Sequence, residues 1–181
     1  MAEPGRIVVF DIDGVLADVS HRLHHIAKRP KNWPAFFAAA AGDPPLPEGV
    51  DLARRLSADH EVLYLTGRPE SLRSVTQHWL EQHGLPGGRL VMRRGGDFRP
   101  ARVAKLDLLA SIGGHDRVHA MVDDDPAVVA ALTEAGYAVL HATWAPTSEH
   151  DPRLRGRTGR SEPGGGQQQT LWEAQEEDGR T

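Results

Sequence analysis

Residues 7–10 read Ile-Val-Val-Phe, an uninterrupted apolar run that stops on Asp11, with Asp13 two places on and Gly14 straight after it. Such a run reads as a strand buried inside a sheet. A turn beginning at Asp11, made cheap by Gly14, would let both carboxylates address one substrate. Open α/β sheets place their chemistry at the C-terminal ends of buried strands, which is where these acids fall. Taken alone, the segment also fits a solvated turn or a helix cap, so the rest of the chain has to decide.

The rest of the chain repeats the pattern. Glu61-Val-Leu-Tyr-Leu-Thr-Gly-Arg68 is an apolar run closing on a hydroxyl, a glycine and an arginine. Val118-His-Ala-Met-Val-Asp-Asp-Asp125 is another, closing on three carboxylates, and between the two lies Lys105, one of only three lysines. Candidate strands are 6–10, 61–65, 89–92, 118–122 and 137–141. Helical stretches over 49–58, 70–83, 101–112 and 126–135 separate them. Gly84, Gly113-Gly114 and Gly136 can end the last three, and Pro126 suits a first helical turn. This alternation predicts an α/β fold, a Rossmann-like open parallel sheet with helices on both faces.

Composition narrows the function classes. A chain of 181 residues can bury one sizeable core. The absence of cysteine excludes disulfides, thiolate zinc sites and cysteine nucleophiles. A net charge of −4 argues against a broad electrostatic grip on nucleic acid, though not against recognition of a single phosphate. No apolar stretch approaches the roughly 20 residues that span a bilayer. Residues 1–6 leave no room for a signal peptide ahead of the first strand, so the expected location is cytoplasmic. Residues 1–145 are expected to form the folded domain. From about residue 146 the chain turns rich in Pro, Gly, Ser, Arg and Gln, and 146–181 is expected to be a disordered tail. Its last apolar patch, around Leu171 and Trp172, reads as frayed chain end. His21, His24 and His25 have the spacing of one helical face; with only Asp18 nearby as a further ligand, an exposed face is the expected reading.

Asp-x-Asp at 11–13, Thr-Gly-Arg at 66–68, Lys105 and Asp-Asp at 123–124, in that order, resemble the four motifs of the haloacid dehalogenase superfamily of phosphotransferases. The resemblance implies Asp11 as nucleophile, forming an aspartyl-phosphate, with Asp13 as the general acid and base. It implies Thr66 as a hydrogen-bond donor to the phosphoryl oxygens and Lys105 as the charge that offsets nucleophile and phosphate. It also implies Mg²⁺, held by Asp11, the backbone carbonyl of Asp13, and Asp123 or Asp124. Those oxygens are the donors that this cation prefers. Asp125 is expected to serve only as a helix cap.

A narrower resemblance lies in the flanks. Asp11-Ile-Asp-Gly-Val-Leu-Ala-Asp-Val-Ser-His-Arg22 is similar to the opening of the 3′-phosphatase domain of polynucleotide kinase-phosphatases. The similarity continues through Thr66-Gly-Arg68, the Thr76…Trp79 stretch, Met92-Arg-Arg-Gly-Gly-Asp-Phe-Arg99 and Lys105 to Val122-Asp-Asp. Residues 23–47 diverge, and Val15 stands where threonine is commoner. The resemblance implies that Arg22, Gly67, Arg68 and Arg93 surround the substrate phosphate, supported by Asp97 and Arg99. Arg54, Arg55 and Arg73 read as surface charge. There is no Gly-x-x-x-x-Gly-Lys-Ser/Thr, so a phosphatase without its kinase half is expected.

Spacing leaves about 30 residues, 18–47, for a lid. Trp33, Phe36 and Phe37 give that stretch a small apolar face, enough for a helical flap but not for a large cap domain. An open site suits a polynucleotide end better than an enclosed sugar phosphate. The expected activity is therefore Mg²⁺-dependent removal of a 3′-phosphate from nucleic acid. Two alternatives stand beside it: a phosphatase of nucleotides or other small esters, and a silent domain that binds a phosphorylated ligand. No membrane partner is expected, and the sequence names no repair partner.

Overall fold

The computed structural model describes residues 5–97 and 99–147; the expectations for the tail fall on residues outside this range. Five strands, β1 (Ile7–Asp11), β2 (Glu61–Pro69), β3 (Arg89–Arg93), β4 (Val118–Asp123) and β5 (Val139–His141), pair in parallel in the order β3-β2-β1-β4-β5. Six helices join them: α1 (Trp33–Ala38), α2 (Pro47–Leu56), α3 (Arg73–Gln82), α4 (Ala101–Ser111), α5 (Gly114–Arg117) and α6 (Pro126–Glu134). Parallel neighbours need crossovers, and the helices supply them. Among the described residues no helix is long and apolar enough to cross a membrane.

Strand alternation sends successive side chains to opposite faces of the sheet. Val8, Phe10, Val62, Tyr64, Leu90 and Met92 pack with Val50 and Ala53 of α2 and Trp79 and Leu80 of α3. Ile7, Val9, Leu63, Leu65, Val118 and Met121 pack instead with Ala101 and Leu109 of α4 and Val128 and Leu132 of α6. Each large side chain so buried contributes about 1.5–3 kcal/mol. The order reverses between β1 and β4, and Phe10 pairs with Val122 there. Asp11 and Asp123, one residue further on, therefore meet at the crevice where such sheets bind ligands.

Several boundaries differ from those the sequence predicts. β2 runs on to Pro69 instead of stopping at Leu65. Thr66 and Arg68 are polar yet buried, because the site and not solvent covers them. The helix expected over 70–83 opens with a 3₁₀ turn, Glu70–Leu72, before α3 begins. α2 starts two residues early, on Pro47, whose fixed φ suits a first turn. β5 starts late, because Gly136 at φ +87° and a Tyr137 N–H bond to the Leu132 carbonyl first close α6.

The stretch 18–47 forms the expected flap, built on a 3₁₀ turn (Ser20–His25), α1, and a second 3₁₀ turn (Ala39–Gly42). Trp33, Phe36 and Phe37 cluster with Val19, Leu23 and Ile26. Two backbone bonds seat the flap's return on the loop after β1, from Asp18 N–H to the Pro44 carbonyl (2.8 Å) and from Leu46 N–H to the Leu16 carbonyl (2.7 Å). Gly49 of α2 lies so close that a Cβ there would sit 1.9 Å from the Val15 carbonyl oxygen. A side chain at 49 would push α2 off that loop.

Candidate active site

Asp11 and Asp13 leave β1 together but join different groups of charge. Asp11 projects on the α4 face of the sheet, where Lys105 Nζ donates to its Oδ2 at 2.7 Å and to Asp123 Oδ2 at 2.6 Å. Lys105 is 3% exposed. It falls between Ala101 and Leu109 on the buried stripe of α4, so it is not a helix-surface lysine. The remaining oxygens are held by backbone: Ile12 N–H donates to Asp11 Oδ1 and Asp125 N–H to Asp123 Oδ1. Asp124 packs its carboxylate against Gly14, at φ +80°, where an added Cβ would meet Asp124 Oδ2 at 2.2 Å. Asp125 accepts from Ala127 N–H and caps α6.

This first group holds three carboxylates against one ammonium. Burial pushes the Asp11 carboxyl up to about 8; Lys105 pulls it down, while Asp123 and Asp124 add to the rise. Burial disfavours the Lys105 charge, yet Asp11 and Asp123 outweigh it and keep the ammonium protonated. One oxygen each from Asp11, Asp123 and Asp124 lie within 4.8 Å of one another. An all-oxygen set with surplus negative charge fits a hard divalent cation.

The second group is made of arginines. Arg68, at the end of β2, donates from Nε (2.9 Å) and Nη2 (2.6 Å) to Asp13 Oδ1. Arg22, from the flap, donates from Nη2 to Asp13 Oδ2 at 3.1 Å. Burial alone would raise the Asp13 carboxyl, but Arg68 and Arg22 hold it down at about 2. Both arginines are almost wholly buried, and Arg22 lies over the Phe36 ring at 4.1 Å. The Nη1 of each is buried with no hydrogen-bond partner. Two unused guanidinium donors beside Asp13 suit an oxyanion.

A further member of this group is one the sequence did not single out. Asp43 accepts from Arg22 Nε at Oδ1 (2.7 Å), from Arg22 Nη2 at Oδ2 (2.8 Å), from Arg68 Nη2 at Oδ2 (2.7 Å) and bonds His21 Nε2 at 2.8 Å. It lies inside the divergent stretch 23–47, where no motif points to it; its one signal is an acid set before Pro44-Pro45. His21 and His24 are exposed and His25 is partly buried, in keeping with the expected outer face, and from that face His21 also reaches Asp43. Among the described residues no metal-type cluster includes them.

The other expected residues line the same region. Thr66 is buried, and its hydroxyl accepts from Arg68 N–H at 3.2 Å; Gly67 sits half-buried between them. Arg93 closes β3, donating from Nε to the Asp97 carbonyl at 2.6 Å. It borders a cleft of about 370 Å³ that Thr66, Lys105, Val91 and Leu108 also line. Arg99 ties Asp97 to Asp107 of α4, the helix that carries Lys105. Arg54 donates to the His83 and Gly84 carbonyls and Arg73 to Glu70 and the Leu90 carbonyl, so neither joins the two charge groups.

Comparison with known proteins places the chain by family and by fold. The family model of the polynucleotide kinase PNKP phosphatase domain matches residues 5–144. No curated protein matches the sequence. Among solved structures, a chain of the Pnkp1/Rnl/Hen1 RNA repair complex superposes with a TM-score of 0.62 at 19% identity, over 81% of this chain and 47% of that one. This chain thus spans about half the length of that neighbour. A class C acid phosphatase from Bacillus anthracis with tungstate bound superposes at 0.55 with 14% identity, covering 89% of this chain and 82% of the other. A haloacid dehalogenase-like hydrolase from Streptococcus pneumoniae gives 0.55 and 14%, covering 81% and 89%. These likenesses speak to fold; the match over residues 5–144 speaks to family, and by it the chain belongs to the polynucleotide kinase phosphatase-domain family of the haloacid dehalogenase superfamily.

Proposed function

We propose that this protein is a Mg²⁺-dependent phosphomonoesterase that removes 3′-phosphates from polynucleotide ends through an aspartyl-phosphate on Asp11. The observation that carries the reading is the side-by-side placement of a cation-seeking acid group and two buried arginines with unused Nη1 donors. A phosphate dianion attacked by a carboxylate needs both kinds of compensation.

In this reading Asp11 attacks phosphorus while Lys105 offsets the charge that gathers on nucleophile and phosphoryl oxygens. Thr66 and Gly67 donate to those oxygens, and Arg22 and Arg68 grip the phosphate from the flap side, with Arg93 at the cleft. Asp11, Asp123, Asp124 and the Asp13 carbonyl would hold Mg²⁺, which supplies positive charge to the phosphoryl group. Asp13 protonates the leaving oxygen and then takes a proton from the attacking water. With both arginines on it, Asp13 is too acidic to donate. As the phosphate draws guanidinium N–H groups to itself, the Asp13 carboxyl rises toward the range a general acid needs. The polynucleotide assignment draws support from the family match and from a structural neighbour within an RNA repair complex.

A hydrolysis panel tests the reading. Matched 3′- and 5′-phosphorylated oligonucleotides, mononucleotides and sugar phosphates are compared at one salt concentration, with and without Mg²⁺. The 3′-ester is expected to be favoured and to require the metal. Preference for the 5′-ester or for phosphosugars would remove the polynucleotide assignment.

A further inference from the structure

Asp43 has no place in the chemistry described above, yet it is among the most heavily hydrogen-bonded side chains of the site. Its carboxylate is fully buried. Four bonds reach it, two from Arg22, one from Arg68 and one from His21. An ionised carboxylate has about four acceptor positions, so none remains for a ligand. Its backbone is pinned as well: Trp79 Nε1 of α3 donates to the Asp43 carbonyl at 2.8 Å, and Asp43 N–H bonds the Ala40 carbonyl. The adjoining Pro44 carbonyl accepts from Asp18. A charged group fixed on this many sides, without room for substrate, holds other groups in place.

We infer that Asp43 is the positioning residue of the phosphate grip, clamping Arg22 of the flap and Arg68 of the sheet into one unit that leaves the Nη1 of each to the oxyanion. The inference rests on the proposed role of the two arginines. Asp43 accepts from Nε and Nη2 of Arg22 and from Nη2 of Arg68, and in both residues Nη1 is the donor left over. Charge points the same way. Asp13 and Asp43 together balance two arginines; with Asp13 alone, both guanidiniums would crowd onto the carboxylate that must later give up a proton. Because Arg22 comes from the flap and Arg68 from β2, the clamp also couples the flap's seating to the geometry of the grip.

The test is a double-mutant cycle on Asp43 and Arg68, read by calorimetric binding of tungstate, a phosphate mimic, and by kcat and KM on a 3′-phosphorylated oligonucleotide. Thermal unfolding first identifies which variants are folded. Asp43→Asn should weaken tungstate binding and raise KM about tenfold or more. Asp43→Glu keeps the charge but moves it by a methylene, and should restore little of the loss; it also carries the test if the asparagine variant does not fold. Arg68→Lys should cost far less in the Asp43 variant than in the wild type, because the two act as one unit. Additive losses, or full rescue by glutamate, would overturn the inference. If wild type and Arg68→Lys bind tungstate equally, the arginine reading itself fails and takes this inference with it, a result distinguishable by involving no Asp43 variant.

Discussion

The two halves of the site are built from similar residues and are electrostatic opposites. Around Lys105, Asp11 and Asp123 share one ammonium, and with Asp124 they bring three acid oxygens close together, a set that calls for a cation. Around Asp43, two carboxylates face two arginines, and guanidinium donors are left over for an anion. Asp11 and Asp13, two residues apart, stand one in each half. A phosphate ester and a divalent cation are complementary to both halves at once, which neither half achieves alone. The halves also differ in construction. The acid half rests on β1, β4 and α4, a rigid frame. The arginine half borrows Arg22 and Asp43 from a flap of short helices, so it depends on how that flap is seated.

The largest break in this comparison should come from the acid half. Asp11→Asn should keep the fold and lose at least about a hundredfold in turnover, or about 2.7 kcal/mol of barrier, since an amide cannot form the acyl-phosphate. Hydrolysis above roughly a hundredth of the wild-type rate would rule out the covalent route.

Next come the acids proposed to hold the metal. Chelation should abolish activity and added Mg²⁺ restore it, with Mn²⁺ a workable substitute. Asp123→Ala and Asp124→Ala should be crippled in a metal-titrated assay. Asp125→Ala should keep its activity and lose at most about 1 kcal/mol of stability, the worth of its cap. Greater sensitivity at Asp125 than at its neighbours would shift the ligand register by one.

On the arginine side, Arg22→Lys keeps the charge but loses the planar fork that Asp43 and Asp13 now engage. A lost charged hydrogen bond of about 1.5–3 kcal/mol corresponds to a ten- to hundredfold fall in kcat/KM. An Arg22→Lys enzyme within twofold of wild type would show that the flap half is dispensable.

The smallest effect sharpens the comparison through pH. Without a metal, burial pushes the folded Asp11 carboxyl up to about 8, above its ordinary value. The folded state therefore binds the proton more tightly than the unfolded state, and stability falls as pH rises from about 4 to about 8. Asp11→Asn removes that contribution, so its Tm advantage over wild type should be larger at pH 8 than at pH 5. A difference of at least about 1 kcal/mol, or roughly 2–4 °C for a domain of this size, is expected. Added Mg²⁺ should shrink it. An advantage independent of pH would mean that Lys105 already compensates the Asp11 charge in full.

How much of this was legible beforehand follows from where each residue sits. Asp11 and Asp123 end strands and Thr66 closes the apolar run of β2, so an apolar run followed by a polar residue announces them. Lys105 could be suspected because it interrupts a leucine-rich helix, and its place between Ala101 and Leu109 is a matter of helical period alone. Arg22 was found through resemblance. Asp43 had neither aid: it follows a 3₁₀ turn in a stretch without periodicity, 21 residues beyond Arg22 and 25 before Arg68.

The sequence by itself determined the alternation of strands and helices, the five-stranded parallel sheet, and the set of acids at its C-terminal edge. Those features are written in local hydrophobic period and in turn residues, which act over a few positions. Only the tertiary structure decided that Asp11 and Asp13 join opposite groups of charge, that His21 reaches Asp43, and that Asp43 joins the flap to the sheet. Each of these depends on which charges share a buried volume. In such a volume a carboxylate's partners are chosen by desolvation and by the few donors within reach, and these come from segments far apart along the chain.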